Sequence, residues 1–88
     1  MRVLIVDDEE VLRDVLEVVL RRENFDVVSA ASGEEALSML DGEEVDLIIL
    51  DVMLPGISGI DTLRAIRISN PNLPVIVITA SSSIDGAI

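Results

Sequence analysis

Four residues of this chain could do chemistry together: Asp7, Asp8, Asp51 and Thr79. Each stands at or just past the end of a short apolar run: Val3–Val6 before the aspartate pair, Leu47–Leu50 before Asp51, and Val75–Ile78 before Thr79. Apolar runs of this length, without alternation, read as strands buried on both faces. The carboxyl ends of such strands are where open α/β sheets place their chemistry. If the three strands are neighbours, three carboxylates and a hydroxyl meet at one end of the sheet. Carboxylates gathered that closely repel one another, so the fold needs a cation or a raised pKa to hold them. An all-oxygen donor set suits a hard divalent ion, Mg²⁺ first and Mn²⁺ or Ca²⁺ as alternatives. It also suits phosphoryl transfer, in which a carboxylate can itself be the nucleophile. Plainer readings stand beside these. Asp51 could do no more than solvate a strand-to-helix turn, and Asp7–Glu10 could be an acidic helix start that complements the dipole. The second reading suffices for Glu9 and Glu10.

The elements that must position these residues follow from periodicity. Val11 to Arg22 has a helical pattern, with Leu12, Val15, Leu16, Val19 and Leu20 on one face and Arg13, Asp14, Glu17 and Arg21 opposite. Val11 and Val18 widen the apolar arc, so this helix expects a second neighbour. Asn24 closes it, and Val27–Ala30 is a weaker strand suited to an edge. Ser32 and Glu35 form a capping box for a short helix with Ala36, Leu37 and Leu40 inward, ended by Asp41-Gly42. Beyond Asp51, Pro55, Gly56 and Gly59 mark a loop, and Ser58 with Asp61 starts a helix lined by Ile60, Leu63 and Ile66. Asn70–Pro74 stops that helix before the run Val75–Ile78. Ser82 and Asp85 mark a last helix start. Strands alternate with helices throughout, so the sheet is expected to be parallel.

Composition removes several classes of function. Seventeen acidic residues face six basic ones, all arginine, for a net charge of −11. Such a surface repels nucleic acid phosphates and anionic lipid. Histidine, the commonest general base and metal ligand, is absent. So is cysteine, which excludes a disulfide framework and a thiolate metal site and fits a cytoplasmic location. Nothing here approaches the roughly 20 apolar residues of a membrane span or the pattern of a signal peptide. Phe25 is the only aromatic residue, so the core must rest on Val, Ile and Leu.

Taken together, Val3-Leu4-Ile5-Val6-Asp7-Asp8-Glu9, Leu50-Asp51-Val52-Met53-Leu54-Pro55-Gly56, Ser58-Gly59 and Val77-Ile78-Thr79-Ala80 resemble the receiver domain of two-component response regulators. The blocks keep the family's order and spacing over essentially the whole chain. The stretch from Ile78 to Asp85 is also similar, more weakly, to receivers of the nitrogen-regulation type of transcriptional activator. The resemblance implies a flavodoxin-like three-layer α/β sandwich with strand order 2-1-3-4. It implies that Asp51 is the phosphoacceptor, and that Asp7, Asp8, Asp51 and the backbone carbonyl of Met53 hold Mg²⁺. Thr79, with Ala80 beside it, would contact the phosphoryl group and report its presence, and a histidine kinase would be the donor. Complete receivers continue through a fourth helix, a fifth strand bearing an aromatic switch residue and a lysine, and a fifth helix. This chain contains no lysine, tyrosine or tryptophan. Residues 1–88 are therefore read as one truncated receiver domain, a phosphoacceptor rather than an enzyme, with its phosphorylation impaired.

Two further functions compete. The first is an assembly fragment that keeps the fold without phosphorylating, and associates as a homodimer through the Val75–Ile78 strand, the first helix, or both. The terminal Ser82–Ile88 segment could be exchanged between chains. The second, a phosphatase with an aspartyl nucleophile, fits poorly, because Met53 stands where such enzymes carry a second acid. Nucleotide binding is disfavoured too: no glycine-rich loop follows the first strand, and Asp7–Glu10 would repel a pyrophosphate.

Overall fold

The unbroken apolar blocks at Val3–Val6 and Leu47–Leu50 become the two central strands of a four-stranded sheet. The computed structural model describes residues 1–54 and 56–78 of the chain. The element order is β1 (Arg2–Val6), α1 (Glu10–Arg22), β2 (Asp26–Ala30), α2 (Gly33–Gly42), β3 (Leu47–Asp51), α3 (Gly59–Ser69) and β4 (Val75–Ile78). The expectations for Pro55, Thr79, Ala80 and the helix start at Ser82 and Asp85 lie outside the described residues.

Every pairing is parallel, in the expected order β2-β1-β3-β4. Register aligns Val3–Val6 with Val27–Ala30 on one side and with Leu47–Leu50 on the other, and Asp51 with Ile78. Period-two alternation then sorts the side chains into two cores. Leu4, Val6, Ile48 and Leu50 pack with Ala36 of α2 and Ile66 of α3. Val3, Ile5 and Val27 pack against Leu16 and Leu20 of α1 and Phe25 beyond it. One helix therefore covers one face and two cover the other, which gives three layers.

The caps form where the sequence places them. Ser32 Oγ accepts from the Glu35 amide and Ser58 Oγ from the Asp61 amide, each at 3.1 Å. Asn24 adopts φ 67°, the left-handed geometry asparagine tolerates, and turns the chain out of α1.

Three burial expectations need correction. On α1 the inward face is Leu12, Leu16 and Leu20, flanked by Arg13 and Glu17, while Val15 and Val19 are exposed with Val11 and Val18. The flank tolerates charge because Arg13 turns back to the Asp7 carbonyl, and Arg21 bridges Glu17 and the Val27 carbonyl. On α3, Ile60 is exposed and Thr62 takes the buried position, since its hydroxyl donates to the Ser58 carbonyl at 2.8 Å and so needs no water. On β4, the central Ile76 and Val77 are 51% and 42% exposed, because they point to opposite faces of the sheet and neither packs into the cores beneath the described helices.

Candidate functional site

Parallel pairing of β1 with β3 brings their carboxyl ends side by side, and the carboxylates of Asp7, Asp8 and Asp51 with them. One carboxylate oxygen from each lies within 4.8 Å of the others. The expected convergence of the three acids is therefore present in the fold.

The local chain fixes two of the three. Asp7 is 1% exposed. Its N–H donates to the Ala30 carbonyl at 3.1 Å, and its Oδ1 accepts from the Glu9 amide at 2.9 Å. Its Oδ2 is buried and accepts no hydrogen bond among the described residues. Burial pushes the Asp7 carboxyl above the ordinary carboxylate value; the Glu9 amide pulls against that shift, and the charges of Asp51, Asp8 and Glu9 add to it. Asp51, 7% exposed, repeats the turn geometry, with Oδ1 accepting from the Met53 amide at 2.9 Å. Asp8 is exposed at the rim.

The loop after Asp51 is held from its far end. The Gly59 amide donates to the Val52 carbonyl at 3.2 Å, and a Cβ at Gly59 would meet the Asp51 carbonyl oxygen at 2.6 Å. Only glycine lets α3 start so close to the strand tip. Gly56, with φ 72°, turns the loop between them. The Met53 side chain is exposed.

A buried carboxylate oxygen without a hydrogen bond, on a residue clustered with two more acids, is costly unless a proton or a cation offsets it. The donor set is oxygen only, which suits a hard divalent ion such as Mg²⁺. These residues therefore fit that ion. Sequence reasoning missed the Arg13 side chain, whose Nη1 donates to the Asp7 carbonyl at 2.7 Å. It was placed on the outward face, although a cation near a helix start is a signal in itself, because the dipole there disfavours it.

Known proteins resemble this chain in sequence and fold. The family model described as response regulator receiver domain matches residues 3–88. Among curated relatives, the probable transcriptional regulatory protein TcrX of Mycobacterium tuberculosis is 40% identical over 86 residues, covering 98% of this chain and 37% of the relative. CpxR of Escherichia coli (strain K12) is 45% identical over 82 residues, covering 93% and 34%. The chain thus spans little more than a third of the length of these relatives. Of solved structures, the response regulator TrrA from Thermotoga maritima in complex with Mg(2+)-BeF is similar with TM-score 0.86 and 37% identity, over 96% of this chain and 75% of that one. TrrA in complex with the histidine kinase ThkA is similar with TM-score 0.85 and 39% identity, over 90% and 68%.

Proposed function

The chain belongs to the response regulator receiver domain family, and from that membership we propose that it accepts a phosphoryl group on Asp51 from a histidine kinase. The observation that carries this reading is the convergence of Asp7, Asp8 and Asp51, with Asp7 Oδ2 buried and without a hydrogen-bond partner among the described residues. Asp51 Oδ1 is held by the Met53 amide, which leaves Oδ2 to attack phosphorus. A bond forms between Oδ2 and phosphorus, the bond from phosphorus to the donor breaks, and the donor leaves with its electron pair. The product is an acyl phosphate, which water can later hydrolyse. Asp7, Asp8, Asp51 and the Met53 carbonyl are the groups that would hold Mg²⁺. When bound, that ion supplies positive charge to offset the carboxylates and the phosphoryl oxygens. Thr79 and Ala80 are proposed to contact the phosphoryl group. The chain contains no lysine, so these 88 residues by themselves are expected to phosphorylate in low yield. The test is incubation with acetyl phosphate and Mg²⁺ followed by mass spectrometry. One phosphoryl group should add to the wild-type chain and none to Asp51→Asn. A mass increase that survives Asp51→Asn identifies another nucleophile and ends this reading.

A second reading, self-association, has its own observation. Ile76 and Val77 are exposed on β4, and Val11, Val15, Val18 and Val19 form an exposed stripe on α1. An apolar edge strand and an apolar helix stripe both favour pairing with another chain, while the −11 charge opposes indiscriminate aggregation. The proposed assembly is a two-fold homodimer through β4, α1 or both. Light scattering after size exclusion should give twice the chain mass; a folded monomer at high micromolar concentration rejects it.

A further inference from the structure

We propose that Arg13 is the positioning residue for the two carboxylates of the β1–α1 turn, an inference that rests on reading Asp7 and Asp8 as cation ligands. Glu9 occupies the N-cap of α1, yet its side chain makes no capping hydrogen bond. The Arg13 guanidinium reaches back over that first turn instead, and Nη1 donates to the Asp7 carbonyl at 2.7 Å. Among the described residues Arg13 forms no ion pair with any carboxylate. In a chain with seventeen acidic residues and six basic ones, a half-buried cation is spent on a neutral carbonyl beside three acids.

That bond matters through the peptide units it fixes. The Asp7 carbonyl belongs to the peptide between Asp7 and Asp8, and the Glu9 amide belongs to the peptide between Asp8 and Glu9. Arg13 holds the first, and Asp7 Oδ1 holds the second. Both peptide planes flanking Asp8 are thereby set, and with them the direction of its Cα–Cβ bond, although the Asp8 side chain itself is exposed. Asp7 is held at three points: its amide by Ala30, its Oδ1 by Glu9 and its carbonyl by Arg13. Only the third depends on a side chain from the body of α1, so it is the one that a substitution in the helix can remove.

The sign of the effect separates positioning from charge. A guanidinium near a cation site opposes the cation, so if charge alone mattered, removing Arg13 would tighten binding. Removing an outer partner that orients metal ligands instead weakens metal affinity by roughly 10–100-fold. The experiment titrates the 88-residue chain with Mn²⁺, followed by electron paramagnetic resonance well below the melting temperature, and with Mg²⁺, followed by thermal shift. Arg13→Ala and Arg13→Gln, whose shorter amide cannot span to the Asp7 carbonyl, should each weaken binding by about 10-fold or more. Metal-free melting serves as the control for folding, and either variant that melts cooperatively carries the test alone. Affinity equal to or tighter than wild type in a folded variant overturns the role of Arg13. A wild-type chain that responds to neither ion overturns the ligand reading of Asp7 and Asp8 on which it rests.

Discussion

The two ends of the sheet both crowd carboxylates, and they resolve the crowding in opposite ways. At the amino end, Arg2 sits among Asp26, Glu43 and Asp46. Its backbone N–H donates to Asp46 at 2.7 Å, its Nε to Asp26 at 2.9 Å and its Nη1 to Glu43 at 3.4 Å. At the carboxyl end, Asp7, Asp8 and Asp51 converge, and among the described residues none of them has an ion-pair partner. The Asp26 carboxyl is held below the ordinary carboxylate value by its hydrogen bond and attraction to Arg2, whereas burial holds Asp7 above it. A cluster of acids is therefore uninformative until one asks whether the chain supplies its own cation. Where Arg2 does, the cluster is a structural tie. Where no described residue does, as at Asp7, Asp8 and Asp51, the cluster is the candidate for a cation from outside.

The largest test of that contrast is metal addition. At 100 times its dissociation constant, Mg²⁺ should stabilise the native chain by about 2.7 kcal/mol, which raises the melting temperature by roughly 10–20 °C for a domain of this size. Asp7→Asn or Asp8→Asn should remove most of that rise, and Asp26→Asn at the other end should leave it intact. A melt unmoved by millimolar Mg²⁺ would erase the distinction between the ends.

Charge removal without metal should give a smaller effect of opposite sign at the two ends. Asp8→Asn relieves repulsion and should raise metal-free stability by about 1 kcal/mol, the scale of a partly screened pair of charges. Arg2→Ala strips three acids of their shared partner and should lower stability. Chemical denaturation in EDTA reads both, and a destabilised Asp8→Asn would argue against a shared site.

The smallest effect is in pH. Because the folded Asp26 pKa is depressed by Arg2, its contribution is fully present above the unfolded value of about 3.9 and lost as pH falls through the folded value. Both side chains are solvent-exposed, so salt screens the effect. Arg2→Ala should therefore flatten the stability profile only below about pH 4, and more visibly at low salt. An equal difference at pH 7 and pH 3 would assign the loss to packing rather than to this pair.

The strands were legible because Val3–Val6 and Leu47–Leu50 are too uniformly apolar for any element with a wet face. The helix starts at Ser32 and Ser58 were legible because capping is local chemistry. What misled was orientation. Leu12, Val15, Leu16, Val19 and Leu20 all share a helical arc with Val11 and Val18 beyond it, and periodicity does not say which part of a wide arc meets the sheet. Nor does hydropathy place Thr62 inside and Ile60 outside, since it takes no account of the Ser58 carbonyl one turn back that satisfies the threonine hydroxyl. Asp7, Asp8 and Asp51 could be singled out because strand ends locate them. For Arg13 the sequence offers only its unfavourable place near a helix start, since its target is a backbone atom.

The parallel pairing of β1 with β3 also sets a clock. These strands lie on opposite sides, in sequence, of two helices and a strand, so no hairpin can nucleate their contact and loop closure must precede it. The three carboxylates come from the ends of both strands, and cannot meet before that closure. Divalent ion can then speed folding only if β1 and β3 are already joined at the rate-limiting barrier; otherwise it acts solely by slowing unfolding. Rates measured across denaturant with and without Mg²⁺ would date the central pairing of the sheet along the folding route.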